Sequence, residues 1–130
     1  MKLQQYLQVQ ATGFLNNLFQ KIKSQNIDIQ NFELDHICYR VETVERYKVI
    51  KKELSKIGKL LVESEVGDRP IATFRLEKAL IFEDRKIYVV ELPAPKPHNR
   101  YKEGFEHVEF VISEGFETFM KRYALCYFDT

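Results

Sequence analysis

The chain has 130 residues, 45% of them hydrophobic, with 20 basic and 19 acidic side chains and a formal net charge of +1. That length suits one cored domain and not two, and the interleaved charges supply no one-signed field, so neither nucleic acid nor a membrane surface is an expected partner. Cys38 and Cys126 lie in no CxxC pattern and read as thiols of a reducing compartment; with no uninterrupted apolar run for a signal peptide or a membrane span, the cytoplasm is the expected location.

Leu3, Leu7, Phe14, Leu18 and Ile22 recur at helical intervals, with Leu15 and Phe19 beside them, so residues 2–24 of an N-terminal segment 1–31 read as one or two amphipathic helices. From Phe32 to Val41 the pattern turns to alternation. It predicts a strand with Asp35, Ile37, Tyr39 and Val41 on one face and His36, Cys38 and Arg40 on the other. A helix follows from an N-cap at Thr43, through Val44, Tyr47, Ile50, Leu54 and Ile57, to a stop at Gly58. "KLLVESEV", the turn "GDRP", "IATFRL", a break at "EKA" and "LIFEDRKIYVVEL" then read as three strands with tight connections. Residues 32–92 thus form a β-α-β-β-β module. The proline-rich piece over 93–104 cannot join a sheet interior and reads as a crossover loop. Over 105–130, "FEHVEFVI" and "SEGFETFMKRYALCYF" repeat the β-α opening of the module and then break off. The expected fold is α+β: a curved, mostly antiparallel sheet with helices on its outer face and a cavity on its concave side.

"LDHICYRV", residues 34–41, and "FEHVEFVI", residues 105–112, match position by position at their start, and they hold two of the three histidines. Alternation places His107 and Glu109 on one face of the second strand, and Ile87, Val89 and Glu91 on one face of the strand that ends the first module. With the two strands related by a pseudo-twofold axis, His36 and His107 face each other and Glu91 completes the group. Two imidazoles and one carboxylate suffice to hold a divalent first-row metal with positions left open. The competing reading is a pair of partly buried, hydrogen-bonded histidines. Glu109 is a second carboxylate ligand, a proton carrier, or the ion-pair partner of Arg40, the pair being preferred; Glu91 has the same ambiguity with Arg100 or Arg69. Arg69 in "GDRPI" is either a contact for an anionic group or a solvated turn residue. Cys38 reads as a small buried hydrophobe in preference to a nucleophile or soft ligand, and His98 as exposed. GxSxG, P-loop, GxGxxG and HExxH signatures are all absent.

The words "DHICYR", "DRPIATFRL", "VVELPAP" and "RYKEGFEHVEFVI", in that order across residues 34 to 115, resemble the YecM branch of the vicinal oxygen chelate superfamily, which includes glyoxalases and extradiol dioxygenases. The resemblance implies a cytosolic metal-binding protein whose cofactor is a divalent ion such as zinc, nickel, iron or manganese. The sequence departs from the pattern at its end, where the last strands of the second module and the fourth metal-ligand position are missing. Three expectations follow. The first is a metal-assisted enzyme acting on a small oxygen-bearing molecule, with His36, Glu91 and His107 holding the ion and Glu109 carrying a proton. The second is a metal-free small-molecule binding module with Arg40 and Arg69 as anion contacts. The third is a shortened family member without activity. An uncovered flank on "FEHVEFVI" calls for the N-terminal helices, for "YALCYFDT" folding back, or for a second copy of the chain, and a homodimer is the preferred cover.

Overall fold

Helical spacing and β-branched alternation resolve into two helices and five strands in the computed structural model, which describes residues 2–97 and 99–111. These are α1 (Leu3–Ser24), β1 (Glu33–Arg40), α2 (Val44–Ile57), β2 (Gly58–Val66), β3 (Arg69–Phe82), β4 (Arg85–Pro93) and β5 (Gly104–Val111). One open sheet of order β2-β3-β4-β1-β5 holds all five strands; β1 and β4 are parallel and every other pairing is antiparallel. The fold is therefore α+β with β1-α2-β2-β3-β4 as the expected module. The helix expected after β5, His98 and the C-terminal "YALCYFDT" lie outside the described residues.

Both helices pack on one face of the sheet. Leu7, Ala11 and Leu15 of α1 and Tyr47, Ile50 and Leu54 of α2 are buried against Ile37, Phe74, Val90 and Leu92. Each fully buried side chain of this kind stabilises the fold by about 1.5–3 kcal/mol. The N-terminal segment is one helix. The Thr43 hydroxyl accepts a hydrogen bond from the Arg46 amide at 3.0 Å and caps α2. Gly58 ends α2 for a reason other than a left-handed turn: its φ is −166°, and a Cβ there would stand 2.5 Å from the Arg75 carbonyl oxygen. Glycine is needed for the close approach of β3.

The break expected at "EKA" is not a break. Strand β3 runs on to Phe82, and the register shifts between Arg75, opposite Val89, and Leu80, opposite Ile87. Residues 76–79 form a bulge, and the turn falls instead at Glu83, whose φ is 55°, and Asp84. The polar triplet looked like a loop because a bulge leaves its residues outside the ladder. Glutamines of α1 replace the missing strand partner. The Gln8 amide donates to the Ile81 carbonyl and accepts from the Ile81 N–H, both at 2.8 Å, and Gln4 donates to the Lys78 carbonyl at 3.1 Å.

A second tie joins α2 to the segment before β5. The Arg46 guanidinium donates to both Glu103 carboxylate oxygens at 2.8 Å, and the Tyr39 hydroxyl donates to one of them at 2.8 Å. Arg46 foremost, and then Tyr39, hold the Glu103 carboxyl below its ordinary range.

Replacing Gln8 by Ala removes both bonds to Ile81 and should lower stability by about 1 kcal/mol, read from urea midpoints, whereas Gln10→Ala should leave the midpoint unchanged. The Glu103 interaction is present above the unfolded carboxylate pKa of about 4.3 and is lost as pH falls through the lower folded value. Glu103→Gln should therefore unfold at lower urea than the unmodified chain at pH 7, and the two midpoints should converge near pH 3.

Candidate metal centre

The pairing of β1 with β5 builds the site. Leu34 pairs with Phe110, His36 with Glu109, Ile37 with Val108, Cys38 with His107 and Tyr39 with Phe105. Between the first two pairs β1 carries one extra residue, Asp35; between the last two β5 carries one extra residue, Glu106. The matched words "LDH" and "FEH" are thus two copies of one device, a strand with its acidic residue expelled into a bulge. Asp35 and Glu106 exchange places under a pseudo-twofold axis through the Ile37–Val108 pair.

The bulges correct the expected alternation. Leu34 joins Ile37 and Tyr39 on the helix face, and Asp35 is expelled beside His36. On β5, Phe105, Val108 and Phe110 face the helices: Phe14 lies 6.4 Å from Phe105, Phe19 lies 6.1 Å from Phe110, and Tyr39 meets Phe105 edge-on at 5.2 Å. The other face carries the polar set. One row across the sheet runs Arg75, Val89, His36, Glu109, and the next runs Thr73, Glu91, Cys38, His107.

His36 is the best connected of these residues. Its Nδ1 lies 2.9 Å from the Asp35 carboxylate, and its Nε2 lies 3.3 Å from a carboxylate oxygen of Glu91 and 3.3 Å from one of Glu109. Asp35 thereby turns the second ring nitrogen toward the two glutamates, the arrangement in which a carboxylate orients a ligating imidazole. Ligand atoms of Cys38, Glu91 and His107 also lie within 4.8 Å of one another. Glu91 belongs to both groups. A tetrahedral divalent ion about 2.1 Å from its ligands sets neighbouring ligand atoms about 3.4 Å apart; among the described residues the group whose ligand atoms all lie within 4.8 Å of one another is Cys38, Glu91 and His107, and His36 stands outside it, joined to it through Glu91 at 3.3 Å. Nitrogen, carboxylate and sulfur donors together suit zinc and its first-row neighbours.

The two histidines do not stand directly opposite one another. Each faces a residue from the other's motif, His36 facing Glu109 and His107 facing Cys38, because the axis runs through the pair between them. Cys38 is fully buried, and that burial pushes its thiol up to about 12. The expected ion pair between Glu109 and Arg40 is not formed: Arg40 Nε lies 3.1 Å from Glu106 instead, and Glu109 turns to His36. The Glu106 bulge explains the exchange, since it delivers a carboxylate one position closer to Arg40. The partner of Glu91 is likewise His36 in place of Arg69 or Arg100. Asp35 and Glu106 are not among the expected site residues, and the repeated acid-histidine dipeptide is the signal that marks them. Cavities of about 550 and 560 Å³ lie elsewhere, one by Phe19, Ile27 and Arg85 and one by Phe14, Lys102 and Phe105.

A family model described as "YecM protein" matches residues 3–129. The chain belongs to the YecM family. Its fold is accordingly that of the vicinal oxygen chelate, glyoxalase-like proteins. An uncharacterized protein of Haemophilus influenzae (strain Rd) is 34% identical over 90 residues, which are 69% of this chain and 47% of that protein. Protein YecM of Escherichia coli (strain K12) is 30% identical over 112 residues, 84% of this chain and 58% of that protein. The chain thus spans about half the length of these curated relatives. A solved structure described as "Structural Genomics, Protein EC4020" superposes with a TM-score of 0.79 at 26% identity, over 93% of this chain and 66% of that one. Among the described residues of this YecM-family chain, no helix is long and apolar enough to cross a membrane.

Burial of Cys38 gives a direct check. In a Cys126→Ser background, a disulfide reagent at pH 8 should leave the remaining thiol unmodified in the folded protein and label it fully in urea. Rapid labelling without urea would show that the sheet face opens.

Proposed function

We propose that His36, Glu91 and His107 form a divalent-metal centre that acts on a small oxygen-bearing molecule. The observation that supports this most is the position of Glu91, which lies 3.3 Å from His36 Nε2 and also clusters with Cys38 and His107. A bound zinc, nickel, iron or manganese ion would supply Lewis-acid chemistry toward vicinal oxygens of a substrate. Asp35 orients His36 through Nδ1. Glu109, with its side chain 69% exposed and one oxygen 3.3 Å from His36 Nε2, is placed to receive a proton from a bound molecule and pass it to water.

This reading takes residues 1–130 as one domain, with 1–31 leading into the 32–92 module and 105–130 opening a second. It puts the protein in the cytoplasm with a small-molecule ligand, without a nucleic-acid or membrane partner, and with a second copy of the chain as its candidate protein partner. A metal-free binding module is the second reading, favoured by the guanidinium groups of Arg40 and Arg69, which hold buried N–H atoms without a hydrogen-bond acceptor among the described residues.

Elemental analysis of tag-free protein before and after chelation separates the two. We expect one divalent ion per chain or fewer after purification, restored to one by reloading, and a loss of affinity of tenfold or more in His36→Ala, His107→Ala or Glu91→Gln with the fold retained by circular dichroism. Both histidines must be neutral to ligate, so affinity for the ion should fall on acidification. A chain that takes up no ion under any of these conditions would refute the metal centre.

A further inference from the structure

At one end of the polar sheet face lie Arg40, two rows beyond His36, and Arg69, one row further out. Arg69 opens β3 and is only 8% exposed, although it follows a turn. Its Nε and Nη1, together with Nη1 of Arg40, are buried without a hydrogen-bond acceptor among the described residues. The two groups act on the same neighbours. Arg40 lies 5.0 Å from the centre of the Tyr101 ring, and both cations lower the Tyr101 phenol, after the larger effect of a hydrogen bond from Asn99. Both also bear on Cys38, which sits between Glu91 and His107.

A buried guanidinium without acceptors is among the costlier arrangements a fold can hold. Replacing it by an apolar side chain of similar volume is often stabilising, so packing alone gives no reason for Arg69, or for the unpaired Nη1 of Arg40 beyond its pair with Glu106. Their planar forks match the two oxygens of an oxyanion. Glu106, 3.1 Å from Arg40, is the fixed anion nearby. Lys96 and Arg69 both reach the space beside Gly67, so cations outnumber Glu106 at this end, which complements an anionic group.

We propose that Arg40 and Arg69 form an oxyanion subsite, and that the molecule bound at this face carries a carboxylate, or less favourably a phosphate, held by their unpaired N–H groups while its other oxygens extend toward His36, Glu91 and His107. The second half of that statement rests on the metal-centre reading; the subsite itself does not. It makes the ligand a small organic acid with oxygen substituents on the chain beyond its carboxylate, and it fixes the direction in which that molecule lies along the sheet.

The test uses the full chain after chelation, melted in succinate, inorganic phosphate or chloride at matched ionic strength. Succinate at about ten times its half-saturating concentration should raise the melting temperature by about 4 °C over chloride. Arg69→Met should lose that rise and should melt higher than the unmodified chain in chloride, a gain that a merely structural arginine would not give. Arg69→Lys, which keeps the charge and loses the fork, should need at least tenfold more succinate, and it serves should the Met variant fail to fold. Lys52→Gln, on the exposed side of α2, should keep the response. Tighter binding of phosphate than of succinate would retain the subsite and assign it a phosphoryl group. No rise over chloride in either anion, an undiminished rise in Arg69→Met, or a response in Arg69→Lys equal to that of the unmodified chain would overturn the proposal. The two readings fail separately: an Arg69-dependent rise in a chain that never takes up metal removes the metal centre and leaves the subsite, and a stoichiometric ion without an anion response does the reverse.

Discussion

The antiparallel pairing of β1 with β5, with one acidic residue bulged out of each strand, is the constraint on which the rest of this face depends. A one-residue slip in a strand reverses the direction of every side chain. Here each strand slips once, at Asp35 and at Glu106. Between the slips, the helix face receives Ile37 and Val108, and beyond them it receives Leu34 with Phe110 and Tyr39 with Phe105. The opposite face receives His36, Glu109, Cys38 and His107. Without the bulges, Leu34 and Phe105 would turn away from α1, and the aromatic contacts of Phe14 and Phe19 that fasten β5 to the helix would be lost. The register is therefore defended by apolar burial on one side while it sets polar geometry on the other.

The two faces have opposite thermodynamic characters. The helix face is filled by apolar side chains, and its burial carries the fold. The other face collects Arg40, Arg69, Glu91, His36 and a buried thiol, each desolvated to some degree and several lacking full partners. Polar groups in such surroundings reduce stability unless something satisfies them. That asymmetry argues for binding on this face independently of any family resemblance, because a domain selected only to fold has no use for it.

Much of this was legible from residue spacing. Periodicity located α1, α2, β1 and β5, and counting by twos put His36, Cys38 and Arg40 on one face and Glu91 on the matching face of its own strand. Where the reading failed, the cause was a bulge or burial by a distant segment. The triplet Glu77, Lys78 and Ala79 read as a loop because polar residues at a bulge leave the alternating pattern without leaving the strand. Arg40 was paired with Glu109 because alternation alone, blind to the extra residue, hid Glu106 from it. Arg69 keeps a solvated reading beside the anion contact because turns are exposed on average, and nothing in the local sequence shows that it is only 8% exposed. Bulges and long-range cover are tertiary facts, and a single sequence records them only where a motif repeats, as the acid-histidine dipeptide does here.

The repeat also explains why a cysteine stands at position 38. Glu91 on β4 and His107 on β5 belong to strands that flank β1, about 10 Å apart at a spacing of about 4.8 Å per strand, yet their ligand atoms come within 4.8 Å of each other. They meet by leaning over the residue between them, which is Cys38. A bulky side chain there would hold the two apart, and a long polar one would compete for them. A small, fully buried thiol, kept protonated by its burial, permits the contact and can itself turn toward whatever the carboxylate and the imidazole hold. Glutamate and histidine from different modules are thus brought together by the size of a third residue, which is why Glu91 can lie beside both histidines although neither of them lies opposite the other.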